Sequence, residues 1–255
     1  MMPTHDILQS LFRWIHIVAG ILWIGLLYFF NWVNGPFAAT LDGETKKKVV
    51  PELMPRSLFW FRWGAAWTWL TGVLLLFVVF YFGGTLFQNP DLAWRTGGIV
   101  MVLFTFLGVF IYDGLMKTLG LKNIQAAVVV GFILLCADIY IMETWAGFSY
   151  RGYMIHTGAL FGTIMAFNVW FRIWPAQKKI ITSAKNGEKP DPDLVALAGL
   201  RSRHNTYLSV PLVWTMINLH NAWAYQSWLY LPAAIILGWI VVYLLYKKAG
   251  KIKGF

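Results

Sequence analysis

The chain has 255 residues, of which 58% are hydrophobic and 13% charged, with 15 tryptophans and a mean hydropathy of +0.59. That balance excludes an ordinary soluble domain and identifies an all-α integral membrane protein embedded in a lipid bilayer. A single cysteine, Cys136, excludes an intramolecular disulfide and any thiolate cluster for zinc or iron–sulfur. The formal net charge of +10 does not mark a nucleic-acid partner, because the cations fall between apolar runs and no soluble face presents them.

Seven segments are apolar and long enough to cross a bilayer as helices, near 9–33, 59–82, 97–118, 124–143, 152–174, 206–224 and 227–246. They predict one transmembrane helical domain over 1–255, a bundle of seven transmembrane helices. The stretch before the first span, "MMPTHDILQSLFR", lacks the basic start of a cleaved leader, so that span is expected to be retained. It carries His16 in "RWIHIVAG", and a loop over 34–58 follows. The third span ends on "YDGLMK", where Lys117 lies one turn after Asp113 and is its expected partner. Asp138 interrupts the fourth span. The fifth carries His156 and, in "GALFG", a pair of small residues that lets helices approach closely. A polar loop over 175–203 is expected to hold a short helix from Pro192 onward, and the sixth span contains Pro211, Asn218 and His220.

Charge sets the expected topology. With the N-terminus outside, all of the 21 lysines and arginines except Arg13, Arg95 and Arg151 lie on the inner side. The positive-inside rule therefore predicts an outside N-terminus and a cytoplasmic C-terminus in a multi-pass protein. Trp14, Trp60, Trp63, Trp145 and Trp228 fall mostly near span ends and read as interfacial anchors.

Histidines are the only residues here that can carry metal chemistry. At 1.5 Å rise per residue, His16 and His220 lie roughly 7 Å and His156 roughly 10 Å outward of the midpoints of their spans. Their shared depth predicts haem b held by neutral imidazoles, with His16, His156 and His220 as candidate iron ligands. Copper on the same rings and a proton relay are the alternatives. Arg13 and Arg151, a turn or so before His16 and His156, are the expected partners of haem propionates. Asp138 is expected to orient a ligating histidine, to accept a proton, or to pair with Arg95 or Arg151. His204 sits at the inner start of the sixth span, so a second haem is conceivable only if it also ligates.

The order "RWIHIVAGILWIG", "MPRSLFWFRWGAAWTWLTG", "YDGL", "YMIHTGALFGTIMAFNVWFRIWPAQKKII", "NGEKPDPDL" and "RSRHNTYLSVPLVWTMINLH" resembles the membrane domain of the bacterial cytochrome c-linked urate oxidases, or urate hydroxylases. The resemblance runs over roughly 9–225. It implies oxidation of urate to 5-hydroxyisourate with water as oxygen source, electrons leaving through cytochrome c, and roles for His16, His156, His204 and His220. The sequence contains no CxxCH, so the acceptor is expected to be a separate periplasmic cytochrome c. A planar anion such as urate needs an arginine, amides and an aromatic face. Arg201, Arg203 and Asn205 beside His204 are one candidate set, and Asn218 and Asn221 beside His220 the other. Asp138, His204 and Asn218 are the candidate catalytic residues. The competing expectation is a haem b electron-transfer subunit of a larger respiratory complex, fed by quinol or a partner centre, with no urate activity.

Overall fold

A computed structural model describes residues 4–89 and 95–252, and these are almost wholly helical. Helix α1 (Thr4–Tyr28) passes through a π-helical turn (Phe29–Asn34) into α2 (Gly35–Thr40). Next, α3 (Gly43–Leu75) ends in a second π-helical turn (Leu76–Tyr81), and α4 (Thr96–Lys122) and α5 (Ile124–Thr144) follow. Helix α6 (Tyr150–Asn168) runs through a third π-helical turn (Val169–Ile173) into α7 (Trp174–Lys185). Helix α8 (Pro192–Ile217), a 3₁₀ turn (Ala222–Gln226) and α9 (Tyr230–Ala249) complete the order. Among the described residues the sole β-type pairing is an isolated bridge between Phe87 and Phe148.

Six of these helical stretches are long and apolar enough to cross a membrane: Thr4–Thr40, Gly43–Tyr81, Thr96–Lys122, Ile124–Thr144, Tyr150–Lys185 and Tyr230–Ala249. The chain is thus built as a multi-pass membrane protein. The expected sixth span falls on α8, which differs from the other six. It starts at Pro192 and ends at Ile217, and its polar side chains Asn205, Thr206, Ser209 and Thr215 are fully buried. A helix face packed against protein can carry such residues where a lipid-facing one cannot.

Both stretches expected as long loops are largely helical. Asp42 starts α3: its carboxylate accepts from the Thr45 N–H at 2.9 Å and the Thr45 hydroxyl at 2.7 Å. This is capping chemistry, and those two bonds hold the Asp42 carboxyl below its ordinary value. Lys47 with Glu44 and Arg56 with Glu52 add helix-face pairs, and the helix carries Pro51 and Pro55 within it. The second expected loop becomes α7 and the first half of α8, whose start is held by Asp191 Oδ1 accepting from Asp193 N–H at 2.9 Å. Between them Gly187 adopts φ +75°, which only glycine takes without strain.

The described chain forms two compact units. The first gathers Met1–Ser10, Gly72–Ile164 and Pro211–Leu237, and the second Leu11–Thr71, Met165–Val210 and Gly238–Phe255. In the first unit, Leu86, Ile139, Met142, Phe148, Met154 and Ile235 are buried at the centre. Here α6 and α8 approach closely at Gly158, where an added Cβ would fall on Thr215 Oγ1, whereas Gly162 has open space beside it. One half of the "GALFG" pair therefore brings helices together and the other does not. The second unit packs Trp23, Leu27, Leu58, Phe61 and Ala65 in its core. Gly64 sits against Ala19 and Trp23, so α1 and α3 meet backbone to backbone. Trp14, Trp60, Trp63 and Trp145 are exposed, as anchors should be. Lys253, one of the cations used for topology, lies outside the described residues.

Candidate functional site

His156, in the first unit, is completely buried on α6. Its Nδ1 lies 2.8 Å from the Gly152 carbonyl, which can only accept, so Nδ1 carries the proton and Nε2 is left as a lone pair. That lone pair accepts from the Tyr81 hydroxyl at 2.9 Å. The same hydroxyl is 3.2 Å from the Gly98 carbonyl, a weaker second acceptor. Tyr81 is placed by the π-helical turn that ends α3, and the Phe148 ring closes over the imidazole at 4.6 Å between centroids. Gly152 makes the close approach possible: a Cβ there would sit 2.5 Å from the Leu86 carbonyl oxygen and 2.9 Å from Phe148 Cβ.

The remaining candidates of this unit take different positions. Helix α8 ends at Ile217, so His220 lies in the turn beyond it and is exposed, rather than inside a span as its position predicted. The Asn218 amide donates to the Trp214 carbonyl at 3.1 Å and accepts from Asn221. Arg151 donates through Nε to the Leu219 carbonyl at 3.0 Å, and Tyr150 donates to the same oxygen. Arg151 thus fastens the turn that carries His220. Asp138 is buried on α5, and among the described residues it has no hydrogen-bond or ion-pair partner, so neither Arg95 nor Arg151 neutralises it. Asp113 and Lys117 form their expected pair at 2.9 Å.

In the second unit, His16 is half-buried on α1. Its Nδ1 donates to the Thr68 carbonyl at 2.9 Å, with the Thr71 hydroxyl at 3.2 Å, and among the described residues nothing occupies Nε2. Arg13, a turn earlier, is exposed and has no ion-pair partner among them. On α8, His204 is half-buried between buried Arg201 and buried Asn205. Asn205 is committed to the protein: it donates to the Met165 carbonyl at 3.0 Å and accepts from the Asn168 amide at 2.9 Å.

The same unit holds a cavity of about 690 Å³. Its polar rim is Asn31, Asn34, Gln177, Ser202, Arg203 and Tyr246, and its apolar wall includes Phe30, Leu58 and Phe61. Asn31 ties the rim together. Its amide donates to the Leu27 carbonyl at 2.9 Å and the Ser202 hydroxyl oxygen at 2.8 Å, while its own oxygen accepts from the Tyr246 hydroxyl at 2.8 Å. Phe30 and Phe61 meet edge to face at 5.3 Å, and the Arg203 guanidinium lies 5.5 Å from the Tyr246 ring centroid. Of the sequence candidates, the cavity therefore takes in Arg203 but not Arg201, His204 or Asn205. Two of the residues that hold functional rings in place, Tyr81 and Asn31, sit in π-helical turns. Such turns cluster at functional sites, but a one-residue change of helical phase leaves no mark in hydrophobic periodicity. Thr68 and Thr71 were also not legible: they are ordinary helix threonines until the tertiary structure sets His16 against them.

Among the described residues no three histidine, cysteine or acidic side chains gather as a metal site. The family model described as urate oxidase N-terminal matches residues 39–254, which include His156, His204 and His220 and begin after His16. No curated protein and no solved structure matches the chain.

Proposed function

The chain belongs to the urate oxidase N-terminal family, and from that premise we propose that it is a urate-hydroxylase-like oxidoreductase of the bacterial cytoplasmic membrane that passes electrons to a separate periplasmic cytochrome c. Seven crossings, with the N-terminus outside and the C-terminus inside as one transmembrane domain, complete the reading, α8 serving as the protein-wrapped seventh. Haem b, when bound, would supply a one-electron carrier. The chemistry of the donors fits that group. An iron-ligating imidazole is neutral, with its distal N–H fixed on a carbonyl or carboxylate so that the other nitrogen faces the metal.

The observation that carries the proposal is the His16 ring, with Nδ1–H held by Thr68 and, among the described residues, nothing on Nε2. His156 has the same anchored tautomer through Gly152, and its Nε2, bonded here to the Tyr81 hydroxyl, would hold iron only in exchange for that bond. His220, in its exposed turn, is the third candidate ligand. Arg13 and Arg151 are the propionate partners of this reading. Asp138 is its proton acceptor, buried without a counter-ion among the described residues, where a carboxylate is costly unless it exchanges a proton. His204 and Asn218 remain its other candidate catalytic groups.

A second reading, a haem b electron-carrying subunit that meets quinol or a partner centre, is favoured by Asn205 and Asn218. Both amides are already bonded within the protein, which removes them from substrate recognition. One experiment separates the readings: a pyridine haemochrome and an anaerobic redox spectrum of the purified chain, followed by urate. Haem b reduced by urate supports the enzyme. Haem b untouched by urate leaves the electron carrier, and a haem-free chain sinks both.

A further inference from the structure

In the second unit, α3 and α7 meet where their sequences change between apolar and polar, and cations gather there against aromatic rings. Arg62 of α3 holds its guanidinium carbon 4.0 Å from the Trp174 ring centroid, with the Phe59 and Trp170 centroids at 5.7 Å and 5.8 Å. The Trp170 indole donates to the Arg62 carbonyl at 3.1 Å, which pins the two segments together. Arg62 Nε is buried and without a hydrogen-bond partner among the described residues. Trp174, Lys178 and Thr182 follow at every fourth position on one face of α7, and Lys178 Nζ reaches back to 5.8 Å from the Trp174 ring centroid. With Pro55, Lys179 and Ile181 they line a second cavity, of about 660 Å³. No aspartate or glutamate lines it, and among the described residues no carboxylate lies within ion-pair reach of Arg62, Lys178 or Lys179.

We propose that this cavity binds the phosphodiester headgroup of an anionic phospholipid, with Lys178 and Lys179 as its counter-ions and Arg62 as a third positive charge beside Trp174. Arg62 and Lys178 share one indole, and an anion between like charges relieves their repulsion. The volume suits a small headgroup, within the roughly 300–1,000 Å³ of small-molecule sites. Phe59, Trp60 and Trp63 are exposed on α3 beside Arg62, and acyl chains are the cover such rings take at a bilayer interface. Free phosphate would match the lysines but leave those rings, and the apolar wall of Pro55 and Ile181, uncovered. A zwitterionic headgroup would bring its own cation to three others. In the topology proposed above the site opens on the cytoplasmic leaflet, whose anionic lipids are drawn to basic pockets between spanning helices. Only the choice of leaflet rests on that reading; the site is independent of the haem and urate chemistry.

The test is native mass spectrometry of the full chain in detergent, titrated with short-chain phosphatidylglycerol, with phosphatidylcholine and inorganic phosphate as comparison ligands. Each basic side chain near an anionic headgroup contributes roughly a fivefold factor, so Lys178→Gln combined with Lys179→Gln should weaken phosphatidylglycerol binding about tenfold or more. Arg62→Gln should weaken it too, and Arg62→Lys, which keeps the charge, should recover most of the loss. Lys247→Gln combined with Lys248→Gln removes two charges from the last turn of α9, outside the cavity, and should leave binding unchanged. Helical circular dichroism of each variant checks the fold. The inference is overturned if phosphatidylcholine binds as tightly as phosphatidylglycerol, if the α9 pair weakens binding as much as the α7 pair, or if the α7 pair or Arg62→Gln binds like wild type. Full displacement of the lipid by inorganic phosphate overturns it as well, since the site would then take a free anion. Failure of the functional reading looks different: a haem-free chain that still holds phosphatidylglycerol through the α7 lysines keeps this site and removes that reading.

Discussion

Replacing Tyr81 by phenylalanine tests the environment of His156 at a single oxygen atom. The ring remains, so its edge-on packing against His156 at 5.7 Å is kept, and what is lost is the 2.9 Å hydrogen bond to Nε2. His156 has no exposed surface through which water could replace the phenol. Its Nε2 would become a buried acceptor without a donor, and leaving such a group unmade costs about 1–3 kcal/mol. Haem-free Tyr81→Phe should therefore unfold at lower denaturant by that amount, read by circular dichroism in mixed micelles. If iron takes Nε2, the same substitution removes a competitor, and haem content per chain should rise or hold while the haem-free stability falls. A variant as stable as wild type in the haem-free state would refute the hydrogen-bond argument. A stable fold with haem lost would refute the competition between phenol and iron.

Two glycines of one motif should behave oppositely. Gly158→Ala forces a Cβ onto Thr215 Oγ1 and should destabilise by about 1–3 kcal/mol, whereas Gly162→Ala, with open space, should be neutral or gain up to about 1 kcal/mol from helix propensity. Parallel thermal unfolding of the two variants checks this. Asp138→Asn removes a buried carboxylate that has no partner among the described residues, so the fold should be at least as stable, while any pH dependence of the haem midpoint potential should flatten. A redox titration across pH decides it. Asp42 carries a pH effect outside the spans. Its carboxyl lies below its ordinary value in the fold, so its stabilisation of the start of α3 is present above the unfolded value and lost as pH falls through the folded one. The protection factor of the Thr45 amide, exchange corrected for its intrinsic pH dependence, should fall at acid pH in wild type and already be low at neutral pH in Asp42→Ala.

Much of the architecture was legible because the bilayer imposes simple rules. Apolar length located Thr96–Lys122, Ile124–Thr144 and Tyr230–Ala249 to within a few residues, and found the apolar parts of the longer Gly43–Tyr81 and Tyr150–Lys185. Where the rule is weaker, the reading went astray. The stretch 34–58 is polar and carries three prolines, yet Asp42 capping and local ion pairs make it helical. His220 counted as intramembrane because its flanks are apolar, but α8 stops at Ile217, where Asn218 turns its amide back onto the Trp214 carbonyl.

The sequence by itself determined the all-helical membrane class, the family and the Asp113–Lys117 pair. All of these depend on composition or on neighbours within one helical turn. Tertiary structure decided which nitrogen of each ring is spoken for, that Tyr81 sits on His156, that Asn205 belongs to the protein, and that Arg203 rather than Arg201 borders a cavity. Those facts join residues such as Tyr81 with His156 and Asn31 with Ser202, set far apart in the chain and brought into register by π-helical turns. Hydrogen-bond geometry acts through space within about 3 Å, and no local periodicity encodes it.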